Sequence, residues 1–155
     1  EWDFLFQSAG PGCTYVMSAL LAKKIQDVLR ANPQIAKEIC FHDWFIYAWT
    51  RANGFKWFID DTSVMRYRQH DTNVFGVNSG MAVGKHRIEK IKSGWYRGQV
   101  VAIAKVCGIE SHALVYKVLR KNCSGRLALA LNAHKFRRRY RDALVLALIS
   151  MMGWF

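Results

Sequence analysis

The net charge of this chain lies entirely in its second half, which predicts two regions of different character. Residues 1–80 carry eight cationic and eight anionic side chains, whereas residues 81–155 carry fifteen cationic and three anionic ones. The second half therefore supplies the whole net charge of +12. A field of this size attracts nucleic acid or the anionic face of a membrane, and charge alone does not distinguish the two. At 155 residues, 52% of them hydrophobic, the chain is long enough for a domain with its own core.

Short apolar runs predict strands in the first half of the chain. Phe4–Gln7 leads into a Gly-Pro-Gly turn, and Lys56–Ile59 and Val64–Tyr67 lie on either side of a turn at Asp60-Asp61. Because the first of these runs begins almost at residue 1, we expect the chain to be the rear part of a larger protein.

Helical spacing of apolar residues predicts the remaining elements. Ser18 is expected to be the N-cap of one helix, and Asp43 the N-cap of a second helix that ends at Asn53-Gly54. A break is expected at Ser124-Gly125. Beyond residue 81 the pattern predicts three helices, at about 82–107, 110–122 and 125–152.

Three polar clusters at the edges of apolar runs are candidate functional sites: Gln7–Gly12, His42–Trp44 and Tyr67–His70. Arginine, histidine and aspartate are the side chains that hold phosphates and move protons, and glycine lets a backbone approach a ligand. Each cluster also has a structural interpretation. Asp43 could be a helix cap, the glycines could form only a tight turn, and Tyr67–His70 could be the solvated end of a strand.

Taken together, the clusters resemble family 2 glycosyltransferases, in particular the rhamnosyltransferase-like branch that builds bacterial surface polysaccharides. The resemblance extends over roughly residues 3–100 and rests on Phe6–Val16, His42–Trp44, Tyr67–His70, Asn73 and Gly76. It implies an α/β fold, with residues 1–80 as the C-terminal portion of a Rossmann-like GT-A catalytic domain that is incomplete at its N-terminus. Residues 81–155 would then form a basic, mostly helical C-terminal region.

The resemblance also implies roles for individual residues. Asp43 matches the catalytic base that deprotonates the acceptor hydroxyl in a single inverting displacement. His42 stands where the family usually has a glutamate, so its own role is open. Gly10 and Gly12 match the glycine-rich loop whose backbone approaches the donor sugar.

The third cluster matches the part of the family's site that faces the leaving group. His70 matches a histidine that helps to bind a divalent metal, Mg²⁺ or Mn²⁺, and Arg68 is a candidate contact for the donor diphosphate. Gln69 and Trp44 lie beside these residues without an assigned role. The family's metal-binding Asp-x-Asp lies on the N-terminal side of the glycine-rich loop, and this chain contains no Asp-x-Asp. We therefore expect the chain alone to be inactive.

The implied function is sugar transfer, with rhamnose as a candidate, from a nucleotide-sugar to a polysaccharide or lipid-linked acceptor. The implied location is the cytoplasm, at the inner face of the cell membrane. The basic run Lys135–Arg141 followed by the apolar run Ala143–Phe155 fits either a helix on an anionic membrane surface or a helix that covers the core. The second run would cover about 20 Å as a helix, too short to cross a bilayer.

Two other classes of function remain as alternatives. A basic module that binds nucleic acid would use interleaved arginines and aromatic residues, but this interpretation leaves the motifs of the first half unexplained. A non-catalytic structural module is the second alternative.

Overall fold

The computed structural model describes residues 1–60, 62 and 88–155, except for the side chains of residues 35 and 36. Within these residues the chain is helical and contains no β-strand. The expected α/β fold, a portion of a Rossmann-like GT-A domain, is therefore wrong for the part of the chain that the structure describes. The predicted strand Val64–Tyr67 lies outside that part.

The first apolar run forms a 3-10 turn at Asp3–Leu5 instead of a strand. The N–H groups of Phe6 and Gln7 both donate to the carbonyl of Asp3, which closes the backbone on itself. Phe4, Leu5 and Phe6 are all buried, whereas a strand would direct consecutive side chains to opposite faces. The run Lys56–Ile59 is likewise not paired with a strand among the described residues.

Seven α-helices of six or more residues follow one another within the described residues. They are α1 (Ala19–Ala31), α2 (Pro33–Glu38), α3 (His42–Ala52), α4 (Trp95–Val106), α5 (Ala113–Leu119), α6 (Cys123–Phe136) and α7 (Tyr140–Met151). Residues 88–92 are also helical, and Gly12–Thr14 forms a second 3-10 turn.

Local side-chain chemistry explains several helix ends. The Ser18 hydroxyl accepts a hydrogen bond from the N–H of Leu21 at 3.3 Å, so its predicted role as the N-cap of α1 is confirmed. The predicted end of α3 at Asn53-Gly54 is also confirmed, and Gly54 adopts a φ of 78°, which favours glycine.

The predicted break at Ser124-Gly125 is wrong, because both residues lie in the first turn of α6. The Asn122 side chain caps that helix by accepting a hydrogen bond from the N–H of Gly125 at 2.8 Å. The break between α5 and α6 lies earlier, at residues 120–122, and a further break at the run of arginines 137–139 divides the predicted helix 125–152 into α6 and α7. These two helices form a hairpin, within which the Ser150 hydroxyl donates to the carbonyl of Arg126 at 2.8 Å.

The main hydrophobic core includes residues from both ends of the chain. The ring of Phe6 lies 4.9 Å from the ring of Phe136 and 5.3 Å from that of Phe155, measured between centroids. The Tyr96 hydroxyl donates to the carbonyl of Phe6. A smaller cluster joins α1 to the other side of α3 through Leu21, Ile25, Phe45 and Trp49. The first turn and the α6–α7 hairpin are thus held in one core with α3 and α4.

No helix in the described ranges combines the length and the apolar character that a membrane-spanning segment requires.

Candidate functional site

The glycine-rich segment packs directly against the beginning of α3. A methyl group added to Gly12 would lie 2.7 Å from Nε2 of His42 and 3.1 Å from Cβ of Asp43. Gly10, by contrast, has no atom within 4 Å of the same position. The structure therefore brings Gly12 together with His42 and Asp43, and the absence of a side chain at Gly12 permits this close approach.

Asp43 is half-buried in the first turn of α3, and the N-cap of that helix is Phe41. The prediction that Asp43 is itself the N-cap is therefore wrong by two positions. Oδ1 of Asp43 accepts the N–H of Trp44 at 2.8 Å. This hydrogen bond fixes the orientation of the carboxylate at the beginning of α3.

Tyr15, to which the sequence motifs assign no role, forms hydrogen bonds within the glycine-rich segment and is influenced by the negative charge of Asp43. Its hydroxyl lies 2.7 Å from Oγ of Ser8 and donates to the carbonyl of Gly10 at 3.0 Å. Burial raises the pKa of Tyr15, and the negative charge of Asp43 acts in the same direction. The hydroxyl is therefore neutral at physiological pH and can donate hydrogen bonds.

A cleft of about 800 Å³ opens between the glycine-rich segment and residues 55–60. Four aromatic side chains line it: Tyr15, Phe55, Trp57 and Phe58. The rings of Tyr15 and Trp57 meet edge to face at 4.8 Å, and the ring of Phe58 is 86% exposed. Asp43 does not line the cleft. Its negative charge acts on Tyr15, which does line the cleft.

Within the part of the chain that the structure describes, two charged side chains also line this cleft, one of each sign. They are Lys56 and Asp60, and both are exposed. The N–H of Thr62 donates to the carboxylate of Asp60 at 2.9 Å and lowers its pKa. The two charges therefore balance at neutral pH.

An ion-pair network around the buried carboxylate of Asp3 anchors the start of the glycine-rich segment. The carboxylate of Asp3 accepts hydrogen bonds from the Tyr47 hydroxyl at 2.6 Å and from Nη1 of Arg138 at 3.1 Å, while Nη1 of Arg51 lies 3.8 Å away. Nη2 of Arg138 also donates to the carbonyl of Ser8. The network thus links the 3-10 turn, α3 and the α6–α7 connection to the start of the loop.

The same network raises the pKa of Tyr47. Burial, followed by the hydrogen bond to Asp3, raises the pKa of Tyr47 to about 12. The sequence carries one signal for this network, which is a lone carboxylate, Asp3, between Trp2 and Phe4. A charge within an apolar run is normally buried only with a partner.

The remaining predicted site residues differ in what the structure shows. Trp44 is buried, donates from Nε1 to the carbonyl of Phe4 at 2.8 Å and stacks on Tyr96 at 5.6 Å, so its contacts are those of a core residue. His42 is exposed beside Gly12. The predicted donor-side residues, Arg68, Gln69 and His70, lie outside the described residues.

The structure does not test the predicted metal site. Among residues 1–60, 62 and 88–155, no group of three histidine, cysteine, aspartate or glutamate side chains is placed to hold a metal ion. His70, the predicted ligand, is not in these ranges.

The chain is similar to the dTDP-rhamnosyl transferase RfbG of Shigella flexneri. The two are 34% identical over all 155 residues of this chain. It spans about half the length of that relative, 53%. No protein-family model matches the chain. No solved structure matches it either.

This similarity supports a glycosyltransferase-like function and does not favour the nucleic-acid-binding alternative. It also extends further than the resemblance seen in the sequence motifs, because it includes the basic half of the chain. The network around Arg138 gives that half a structural link to the glycine-rich segment.

Proposed function

We propose that this chain belongs to a glycosyltransferase and that Asp43 is its catalytic base. The observation that carries the proposal is the close packing of Gly12 against His42 and Asp43, in a chain similar over its whole length to a dTDP-rhamnosyl transferase. From the name of that relative we propose dTDP-rhamnose as the donor.

In the proposed reaction the carboxylate of Asp43 accepts the proton of an acceptor hydroxyl. The acceptor oxygen attacks the anomeric carbon of the donor sugar as the bond to the nucleoside diphosphate breaks, and the diphosphate leaves with that bonding pair. One displacement of this kind inverts the anomeric configuration. A carboxylate held by a backbone hydrogen bond in the first turn of a helix is fixed in orientation before the substrate arrives, as a general base requires.

We propose that the acceptor is a saccharide, free or lipid-linked. Because Asp43 does not line the cleft, the part of the acceptor that lies in the cleft beside Tyr15 is the part remote from its reacting hydroxyl. Aromatic rings such as Phe58 and Trp57 offer flat apolar surfaces on which the C–H faces of a sugar can pack. The charges of Lys56 and Asp60 balance, which suits a neutral polyhydroxyl ligand better than a diphosphate. A diphosphate would favour an excess of cations.

The donor side of the proposed site rests on residues known only from the sequence. We propose Arg68 as a contact for the donor diphosphate and His70 as a ligand for a divalent metal, Mg²⁺ or Mn²⁺. A metal there would stabilise the charge of the leaving group. The proton transfer to Asp43 does not involve this metal. It requires only the carboxylate and the helix that holds the carboxylate.

The test is transfer of labelled rhamnose from dTDP-rhamnose to a saccharide acceptor by an active polypeptide that contains this chain. We expect transfer that depends on Asp43, with release of one nucleoside diphosphate for each sugar moved and inversion at the anomeric carbon. Full transfer by an Asp43→Asn variant would contradict the proposed base. Because the chain lacks Asp-x-Asp, we expect no sustained turnover from the chain alone, so turnover there would contradict that part of the proposal.

A further inference from the structure

The face of α7 that points away from the core is apolar along most of its length. Five large side chains are between 48% and 63% exposed there: Leu144, Val145, Leu148, Met151 and Met152. Their spacing places them on one side of the helix, whereas Ala143, Leu146 and Ser150 are buried on the other.

A helix that is apolar on all sides is normally buried on all sides. Here one side packs in the hairpin with α6, and the other is exposed. The neighbouring helix α6 adds two exposed leucines one turn apart, Leu127 at 50% and Leu131 at 68%. Exposed apolar groups in this number mark a surface that binds a partner.

Cations and amphipathic aromatic residues stand at both ends of this face. At its beginning, Arg139 is exposed, Tyr140 is 75% exposed, and Arg141 is 81% exposed in its side chain, with Nε 3.5 Å from the carboxylate of Asp142. Just past its end, Nζ of Lys92 lies 4.2 Å from the centre of the Trp154 ring. Tyrosine, tryptophan and cations beside an apolar stripe suit the boundary between lipid headgroups and acyl chains.

We propose that the outward face of α7 lies flat on an anionic membrane surface. The helix is about 18 Å long at 1.5 Å per residue, and it would lie in the plane of the membrane with its five apolar side chains among the acyl chains. This proposal does not depend on the proposed reaction.

Charge favours a membrane over other partners for this face. A second copy of the chain would bring another net charge of +12 to the contact, and like charges repel. A nucleic acid would attract the cations but offer nothing to the exposed leucines and methionines. An anionic bilayer offers both an apolar interior and opposite charge.

The structure also changes which cations can take part. Lys135–Arg141 is one basic run in the sequence, but two of its arginines are paired with groups of the protein itself, although Arg138 remains exposed. Arg137 donates to the Tyr96 hydroxyl at 2.8 Å, and Arg138 pairs with Asp3. The residues that can contact the membrane are therefore those of the outward face of α7, together with Arg139 and Arg141.

The experiment is sedimentation of the purified chain with vesicles. Two compositions are compared, pure phosphatidylcholine and phosphatidylcholine mixed with phosphatidylglycerol, across a salt series. We expect binding to the anionic vesicles that weakens with salt. The variant Leu148→Asp should weaken it by about tenfold or more. The matched control is Leu20→Asp, because Leu20 is 64% exposed on α1 and Leu148 is 63% exposed on α7.

A second pair of variants tests the cations. Arg139→Gln with Arg141→Gln should weaken binding to anionic vesicles by roughly fivefold per charge, and Arg30→Gln with Lys37→Gln should change it much less. Equal binding by the Leu148→Asp and Leu20→Asp variants would overturn the proposal. So would a dimer that Leu148→Asp dissociates while vesicle binding stays the same, which would show that a second copy covers the face.

Discussion

Nη1 of Arg138 lies 3.1 Å from the carboxylate of Asp3, and this ion pair joins residues that are 135 positions apart. The pair connects the charge-balanced half of the chain to the basic half. Since Arg138 also donates to the carbonyl of Ser8, the basic half supports the start of the glycine-rich segment. The arginine therefore has a structural role that its place in a basic run does not suggest.

Replacing Arg138 with glutamine should destabilise the fold strongly. Asp3 would remain buried with Arg51, at 3.8 Å, as its remaining cation. Losing one of its two cations leaves the charge of Asp3 only partly compensated, and we expect a loss of about 2 kcal/mol in the free energy of unfolding. Urea denaturation measures it. The control is Arg139→Gln, because the neighbouring Arg139 is exposed; equal stability of the two variants would contradict the assigned role.

Tyr47 should give the fold a stability that is lost at alkaline pH. Its pKa is raised from 10.0 to about 12, so the unfolded chain releases this proton before the folded one does. The contribution is complete below about pH 10 and falls by about 1.4 kcal/mol per pH unit as pH rises towards 12.

The variant Tyr47→Phe isolates this effect from the other titrating groups. We expect it to cost about 3 kcal/mol below pH 10, from the lost hydrogen bond to the charged carboxylate of Asp3. The difference from the unmodified chain should shrink between pH 10 and 12. The control is Tyr116→Phe, at an exposed tyrosine. A pH-independent difference for Tyr47→Phe would show that the hydroxyl is not held in its neutral form.

A methyl group at Gly12 should impair transfer more than it impairs folding. It would turn the ring of His42 away and require Cβ of Asp43 to shift by a few tenths of an ångström. We expect about a tenfold fall in kcat for Gly12→Ala, with stability lowered by about 1 kcal/mol. Gly10→Ala is the control, since its added methyl meets no atom within 4 Å. A kcat for Gly12→Ala equal to that of the unmodified protein would separate Gly12 from the reaction.

Replacing Asp43 with asparagine removes the proposed base while keeping its shape. The amide oxygen can still accept the N–H of Trp44, so the helix should remain intact. We expect kcat to fall by about 10²–10⁴ with an unchanged circular dichroism spectrum. The control is Asp27→Asn, because Asp27 is exposed on α1 and pairs with Lys23. A fall in kcat of less than tenfold would remove Asp43 from the chemistry.

Phe58 should affect binding of the acceptor and not the chemical step. Its ring is exposed in the cleft, so Phe58→Ala leaves the core unchanged. We expect the acceptor KM to rise by about tenfold, with kcat and the donor KM unchanged. Tyr116→Ala provides the control at an exposed ring on α5. If kcat fell and the acceptor KM stayed constant, the cleft would not be the acceptor site.

Features that depend on a few neighbouring residues could be predicted from the sequence. The Ser18 cap and the end of α3 at Asn53-Gly54 follow from side-chain and backbone chemistry within one helical turn. The wrong strand at Phe4–Gln7 shows the limit of this approach. A short apolar run can pair as a strand or close as a turn, and distant parts of the fold decide between them.

At the site, too, the motifs could be predicted from the sequence, whereas contacts from distant residues could not. The resemblance grouped Gly12 with Asp43, and the structure places them in contact. The support from Arg138 could not be predicted, because net charge does not reveal which arginines face inward. Tyr15 stood at the edge of a recognised motif, but its link to Asp43 depends on how the loop folds.

The packing of Phe6 against Phe136 and Phe155 has a consequence for how the protein is made. During synthesis the apolar segment Phe4–Phe6 leaves the ribosome long before α6 and α7, which complete its environment. Contacts between such distant residues form late because a long loop must close first. Until the residues as far as Phe155 have been synthesised, the nascent chain therefore exposes this aromatic segment, and chaperones that bind such segments have time to capture it.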